Sequence, residues 1–175
     1  PPQPPPFIKP NRSELTPFIP QSILDLATPA EFRYVSPAFI SFQAENENWP
    51  VFIQQVLNLT QQYSGTFNRI SFGDKGGMIA LWFGAPVSHE NSVARAASCL
   101  LALRKIAIIP WRAGLTYGLV WAGFRGGQQR SEYGCLGDAV NTAARIMMLA
   151  AWGEIWLNST AAHEVQARYL LNDLG

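Results

Sequence analysis

An α+β fold, with helices laid against a mainly antiparallel sheet, is predicted by three observations on the sequence. Segments of strand and helix character follow one another in the order β-α-β-β-α-β, with further α and β elements behind them. The run Gly73-Asp74-Lys75-Gly76-Gly77 separates two apolar segments and has the composition of a tight hairpin turn, so those strands are antiparallel neighbours. No internal repeat is present, which argues against a solenoid. At 175 residues, 48% of them hydrophobic and 14% charged, the chain is long enough to close one ordinary core.

Taken in order, residues 1–30 read as a lead-in. PPQPPPFIKP is stiff, extended and poor in backbone donors, the composition of a linker, with a proline-rich partner-binding segment as the alternative. The domain proper is expected over 31–175. Tyr34 to Phe42 is rich in aromatic and β-branched residues and reads as a strand, and Val51 to Tyr63 has helical spacing. Phe67 to Phe72 and Met78 to Phe83 are the two arms of the hairpin. His89 to Ile106 sets Val93, Ala96, Ala97, Leu100, Leu101 and Leu103 largely on one helical face and leaves Arg95 and Arg104 free to stay outside. Ala113 to Ala122 reads as one strand, Gly126-Gly127 as a turn, and Tyr133 to Leu136 as a short strand feeding a helix that begins near Asp138. Glu154 to Leu157 is the next strand, and Ala161 to Leu170 a terminal helix. The leading β-α-β-β-α-β order is that of a ferredoxin-like unit.

Charge and composition exclude several function classes. The net charge of +1 provides no broad basic field, so no nucleic-acid partner is expected and a phosphate ligand must be held by a local site. Cys99 and Cys135 form neither a CxxC pair nor a regular ladder, which suits a reduced, cytoplasmic compartment. No apolar run reaches the roughly 18 residues of a membrane span, so this segment is expected to make no membrane contact.

Leu136 to Met147 concentrates the chemistry. Asn141 and Arg145 lie four residues apart on an otherwise apolar helix, and therefore on one face. An amide that donates and accepts, beside a fixed guanidinium fork, is equipment for orienting a ribose and stabilising charge on a transferring phosphate. Spacing alone also fits two polar positions on the exposed side of an amphipathic helix.

The segments RISFGDKGGMIALWFGAPVSHENSVARAA, AGLTYGLVWAG and SEYGCLGDAVNTAARIMMLAAWGEI, in that order, resemble the class III nucleotide cyclase domain from about Glu31 to Leu157. FGDKGG, FGAP, HEN, RAA and GDAVNTAARIM resemble more narrowly the second cyclase domain of tandem enzymes related to soluble adenylyl cyclase, and FIPQSIL fits an approach between two such domains. The resemblance implies that two domains pair head to tail and build the nucleotide site from both, so that one domain holds half of it. It also implies that relatives continue into further strands beyond Gly175. Asn141 would position the ribose, and Arg145 would stabilise negative charge as the 3′-hydroxyl of ATP attacks its α-phosphate.

By the same resemblance, two ions, magnesium or manganese, are held by one aspartate at the end of the first strand and one in the hairpin. Asp74 stands at the hairpin position, where Asp before Lys-Gly-Gly is also good turn chemistry. Ser41 stands at the first-strand position, and its neutral hydroxyl is a poor ligand for a hard cation. The ions are therefore expected to be bound mainly by a partner domain. Arg69 and Gly134 occupy the positions that read the purine; Arg69 can donate to a base acceptor or serve as an exposed strand-edge charge, and Gly134 has no side chain to read with. The expected function is half of an adenylyl cyclase, forming cyclic AMP and pyrophosphate from ATP with a complementary cyclase domain. A catalytically silent regulatory or dimerisation module, and a guanylyl cyclase using GTP, are the alternatives.

Overall fold

The computed structural model describes residues 11–15, 19, 21–26, 30–73, 76–127 and 131–174. The proline-rich opening, 1–10, lies outside them. Two single turns of helix, α1 (Arg12–Leu15) and α2 (Gln21–Leu24), precede β1 (Ala30–Phe42). Then come α3 (Trp49–Gln62), β2 (Thr66–Gly73), β3 (Gly76–Phe83), α4 (Ser92–Ile106), β4 (Trp111–Leu115), β5 (Gly118–Gly126), β6 (Ser131–Leu136), α5 (Asp138–Leu149), β7 (Ile155–Leu157) and α6 (Ser159–Val165). This is the expected α+β order.

The long strand β1 organises the sheet. Its second half lies between β3 and β4, and the spatial order runs β2-β3-β1-β4-β7, antiparallel except for the β4–β7 pair. Its first half pairs with β5, which pairs in turn with β6. The single strand expected over Ala113 to Ala122 is divided into β4 and β5, although the register on β1 continues unbroken: Ala38 stands opposite Leu115 and Val35 opposite Gly118. The division falls opposite Pro37, which has no amide hydrogen to give the ladder. Only the amide of Thr116, donating to the Pro37 carbonyl at 3.1 Å, bridges the gap.

Alternation along β1 directs its two faces to two apolar clusters. Ala38, Ile40 and Phe42 face α3 and α4 and pack with Phe52, Val56, Leu81, Phe83, Leu100 and Leu103. Val35 and Phe39 face the other way, with Ala80, Trp82, Val120, Tyr133 and the α5 residues Ala143 and Met147. Ile23 and Leu26, from the lead-in, pack against this second cluster. The terminal helix is shorter than expected. It ends at Val165, and Tyr169 turns back so that its hydroxyl lies 2.7 Å from that of Ser98 on α4. Among the described residues no helix is long and apolar enough to cross a membrane.

Candidate functional site

Helix α5 carries both leading candidates, and strand β4 holds that helix in place. Arg112, Gly114 and Thr116 alternate along one face, directly under α5. Near the start of the helix the Thr116 hydroxyl donates to the Ala139 carbonyl at 2.7 Å. At the far end Arg112 Nη1 donates to the carbonyls of Met148 and Ala150, both at 2.9 Å, and its guanidinium lies 4.7 Å from the Trp152 ring centre. Those carbonyls belong to the last turn, where a helix has no partners of its own and a cation is favoured. Between the two anchors, a β-carbon at Gly114 would fall 2.2 Å from the Ala143 oxygen and 2.5 Å from the Met147 nitrogen. Helix and strand touch backbone to backbone there, and only glycine permits it.

With Ala143 and Met147 buried against the sheet, Asn141 and Arg145 are turned outward one helical turn apart, both exposed. Among the described residues neither side chain has a hydrogen bond or ion pair, so an amide and a guanidinium are presented side by side with their donors free.

Arg69 and Gly134, the two positions expected to read the purine, lie on two different edge strands, each next to a residue of one cross-strand hydrogen bond. Arg69 is exposed on β2, while Gly134 lies on β6 opposite Gly123 of β5. The strands β2 and β6 do not pair, but Asn68 crosses between them, its Nδ2 donating to the Tyr133 carbonyl at 2.7 Å. A β-carbon at Gly134 would sit 3.5 Å from Arg125 Nε, in ordinary contact, so a side chain is sterically admissible there. Arg125 is itself held by Glu132, with Nε at 3.0 Å and Nη2 at 2.5 Å from Oε1.

Gly134 belongs to a largely apolar sheet face that no other element covers fully. Phe32, Trp121 and Leu136 stand abreast across β1, β5 and β6, with Tyr34 and Leu119 as the next pair. Phe32 is 72% exposed and Tyr34 61%, unusual values for aromatic side chains on a sheet.

The expected metal position is less open. Ser41 is 4% exposed, near the end of β1, on the face that carries Phe39, with Met78 and Arg112 as ladder neighbours. A neutral hydroxyl flanked by a thioether and a guanidinium-bearing residue does not fit a divalent ion. Asp74 and Lys75 lie outside the described residues, and among the described residues no three His, Cys, Asp or Glu side chains gather as a metal site. The cysteines provide no nucleophile: burial pushes the Cys99 and Cys135 thiols up to about 12.

Two cavities, of about 420 and 290 Å³, lie away from these residues, one beside Trp111 and Trp152, the other beside Tyr34, His89 and Glu164. Asn141, Arg145 and Arg69 thus occupy open surface, while Gly134 is buried within β6. Sequence reasoning missed the parts that position them: Arg112, Gly114, Thr116 and Asn68. The period-two pattern Arg-x-Gly-x-Thr was a readable signal for the first three; nothing local marked Asn68.

No protein-family model and no curated protein sequence matches the chain. Solved structures do. The adenylyl cyclase CyaB of P. aeruginosa superposes with a TM-score of 0.73 at 19% identity, over 83% of this chain and 87% of that one. The guanylate cyclase domain of RhGC from Catenaria anguillulae, in complex with GTP, gives 0.71 at 17% identity, over 80% and 86%. The catalytic core of a rhodopsin-guanylyl cyclase with converted specificity, in complex with ATPαS, gives 0.72 at 18%, over 82% and 88%. The chain has the fold of the adenylyl and guanylyl cyclase domains.

Proposed function

We propose that this chain is one half of a class III adenylyl cyclase, forming cyclic AMP and pyrophosphate from ATP at an interface with a complementary cyclase domain. The observation that carries the reading is the outward pair Asn141 and Arg145, unpartnered, on a helix anchored to the sheet at both ends. Asn141 holds the ribose so that its 3′-hydroxyl lies in line with the α-phosphate, and Arg145 stabilises the negative charge that grows there in the transition state. Their preorganisation comes from β4, so the helix pays little reordering cost on binding.

The complementary domain contributes the two aspartates that bind magnesium or manganese, since Ser41 cannot replace one. It would cover the apolar face of Phe32, Tyr34, Leu119, Trp121 and Leu136, which supports pairing by hydrophobic burial. The test is production of cyclic AMP and cyclic GMP with manganese, by the chain alone and mixed with a cyclase domain carrying both aspartates. Activity is expected only in the mixture, with ATP preferred. If the mixture turns over neither nucleotide, the reading fails. The second reading, a silent cyclase-homology module that only docks its partner, is favoured by Ser41 and Gly134 and predicts pairing without turnover.

A further inference from the structure

We propose that Asn68 reads the purine base, its Oδ1 accepting a hydrogen bond from the exocyclic amine of adenine and thereby selecting ATP over GTP. The inference deepens the cyclase reading and rests on it for the presence of a purine in this gap. Three features of the structure converge on the residue. The β2–β3 register passes from Phe67 opposite Leu81 to Arg69 opposite Ala80, leaving Asn68 outside the ladder in an irregularity of the bulge type, which re-aims a side chain. The side chain spans the gap to β6 and ends at Tyr133, the residue before Gly134. At Gly134 itself there is no side chain to read a base, so the task falls to the nearest group that reaches the same strand.

The orientation of the amide follows from its partner. A backbone carbonyl only accepts, so the bond to the Tyr133 oxygen takes the amide nitrogen and leaves Oδ1 as the free end. Among the described residues Oδ1 receives no other hydrogen bond. The neighbouring candidates have the opposite polarity: among the described residues Arg69 is a donor without a partner, and Arg125 keeps Nη1 after Glu132 has engaged Nε and Nη2. An acceptor accompanied by donors complements adenine, whose N6 amine donates while N1 and N7 accept. Guanine presents the O6 carbonyl in place of the amine. Its lone pairs would face those of Oδ1, two acceptors without a proton between them, a mismatch that sites built around hydrogen bonds reject strongly.

The experiment measures binding of ATP and of GTP by competition, together with manganese-supported turnover of each, for the chain mixed with a complementary cyclase domain that carries both metal-binding aspartates. Wild type is compared with Asn68→Ala and Asn68→Asp, all three checked for a cooperative melt. Asn68→Ala is expected to lower the ATP-to-GTP preference roughly 10- to 100-fold, while Asn68→Asp, which keeps an acceptor but loses the Tyr133 bond, retains most of the preference. A purely structural role would weaken both nucleotides together and leave their ratio unchanged, and that result overturns the proposal. A ratio that shifts in binding while no variant turns over either nucleotide upholds the base reader and overturns the cyclase reading. Wild type that binds neither nucleotide overturns both.

Discussion

Replacing Gly114 by alanine tests the claim that β4 sets the position of α5, the helix proposed to carry the catalytic pair. The added β-carbon would lie 2.2 Å from the Ala143 oxygen, 2.5 Å from the Met147 nitrogen and 2.7 Å from Ile146 Cγ1, whereas ordinary contact begins near 3.4 Å. Two of the three are backbone atoms of α5, so no rotamer change relieves them, and the helix must rise by about 1 Å. It is tethered by Thr116 at one end and Arg112 at the other, so the displacement strains both sets of bonds. Overpacking of this kind costs about 1–3 kcal/mol, against which the smaller backbone entropy of unfolded alanine returns about 0.4–1 kcal/mol. The midpoints leave a net loss of about 1.3 kcal/mol, which corresponds to a fall in Tm of about 3–5 °C for a chain of this size. Turnover in the paired assay should fall further than stability, on the order of 10²-fold, because a displacement of about 1 Å moves Asn141 and Arg145 off the reacting centre. Thermal melts and initial rates on one preparation measure both effects. Gly114→Ala with an unchanged Tm and wild-type rates would refute the backbone-to-backbone contact and the positioning role drawn from it.

Asn141→Ala and Arg145→Ala should each lower turnover on the order of 10²–10³-fold while Tm stays within a degree or two, because both side chains are exposed and make no hydrogen bond or ion pair among the described residues. Ser41→Asp should cost stability without metal, as it buries a carboxylate at a site now 4% exposed, and titration with manganese should then raise the Tm of the variant but not of wild type. The buried Cys99 and Cys135 thiols stand at about 12 in the fold against an ordinary 9.0, so deprotonation opposes folding. Stability from this source is fully present below about pH 9 and is lost as pH rises toward 12, readable as a falling urea midpoint; both thiols should also resist alkylation until the chain unfolds. Gly134→Ala should be accepted with little loss of Tm, since a β-carbon there has ordinary contacts with Arg125, as a thermal melt will show.

What the sequence revealed and what it concealed have different physical origins. The helix from Asp138 and the hairpin around Gly73 to Gly77 were legible because periodicity and turn composition are local properties. The division of β4 from β5 was not, since it depends on Pro37, which lies about eighty residues away in sequence and directly opposite in the sheet. The candidate site separates along the same line. Asn141 and Arg145 share a helix, and their common face follows from a spacing of four. Arg69 and Gly134 come from strands that do not pair, and among the described residues the one hydrogen bond between those strands is that of Asn68. A long-range contact of this kind leaves no periodic trace, because its two halves are selected by each other rather than by their neighbours in the chain. The same reasoning explains why the site is open on its own domain. Asn141 and Arg145 point outward, Ser41 is neutral, and the apolar face of Phe32 and Tyr34 is exposed, and under the proposed function each of these features is matched by a group that a complementary cyclase domain would bring.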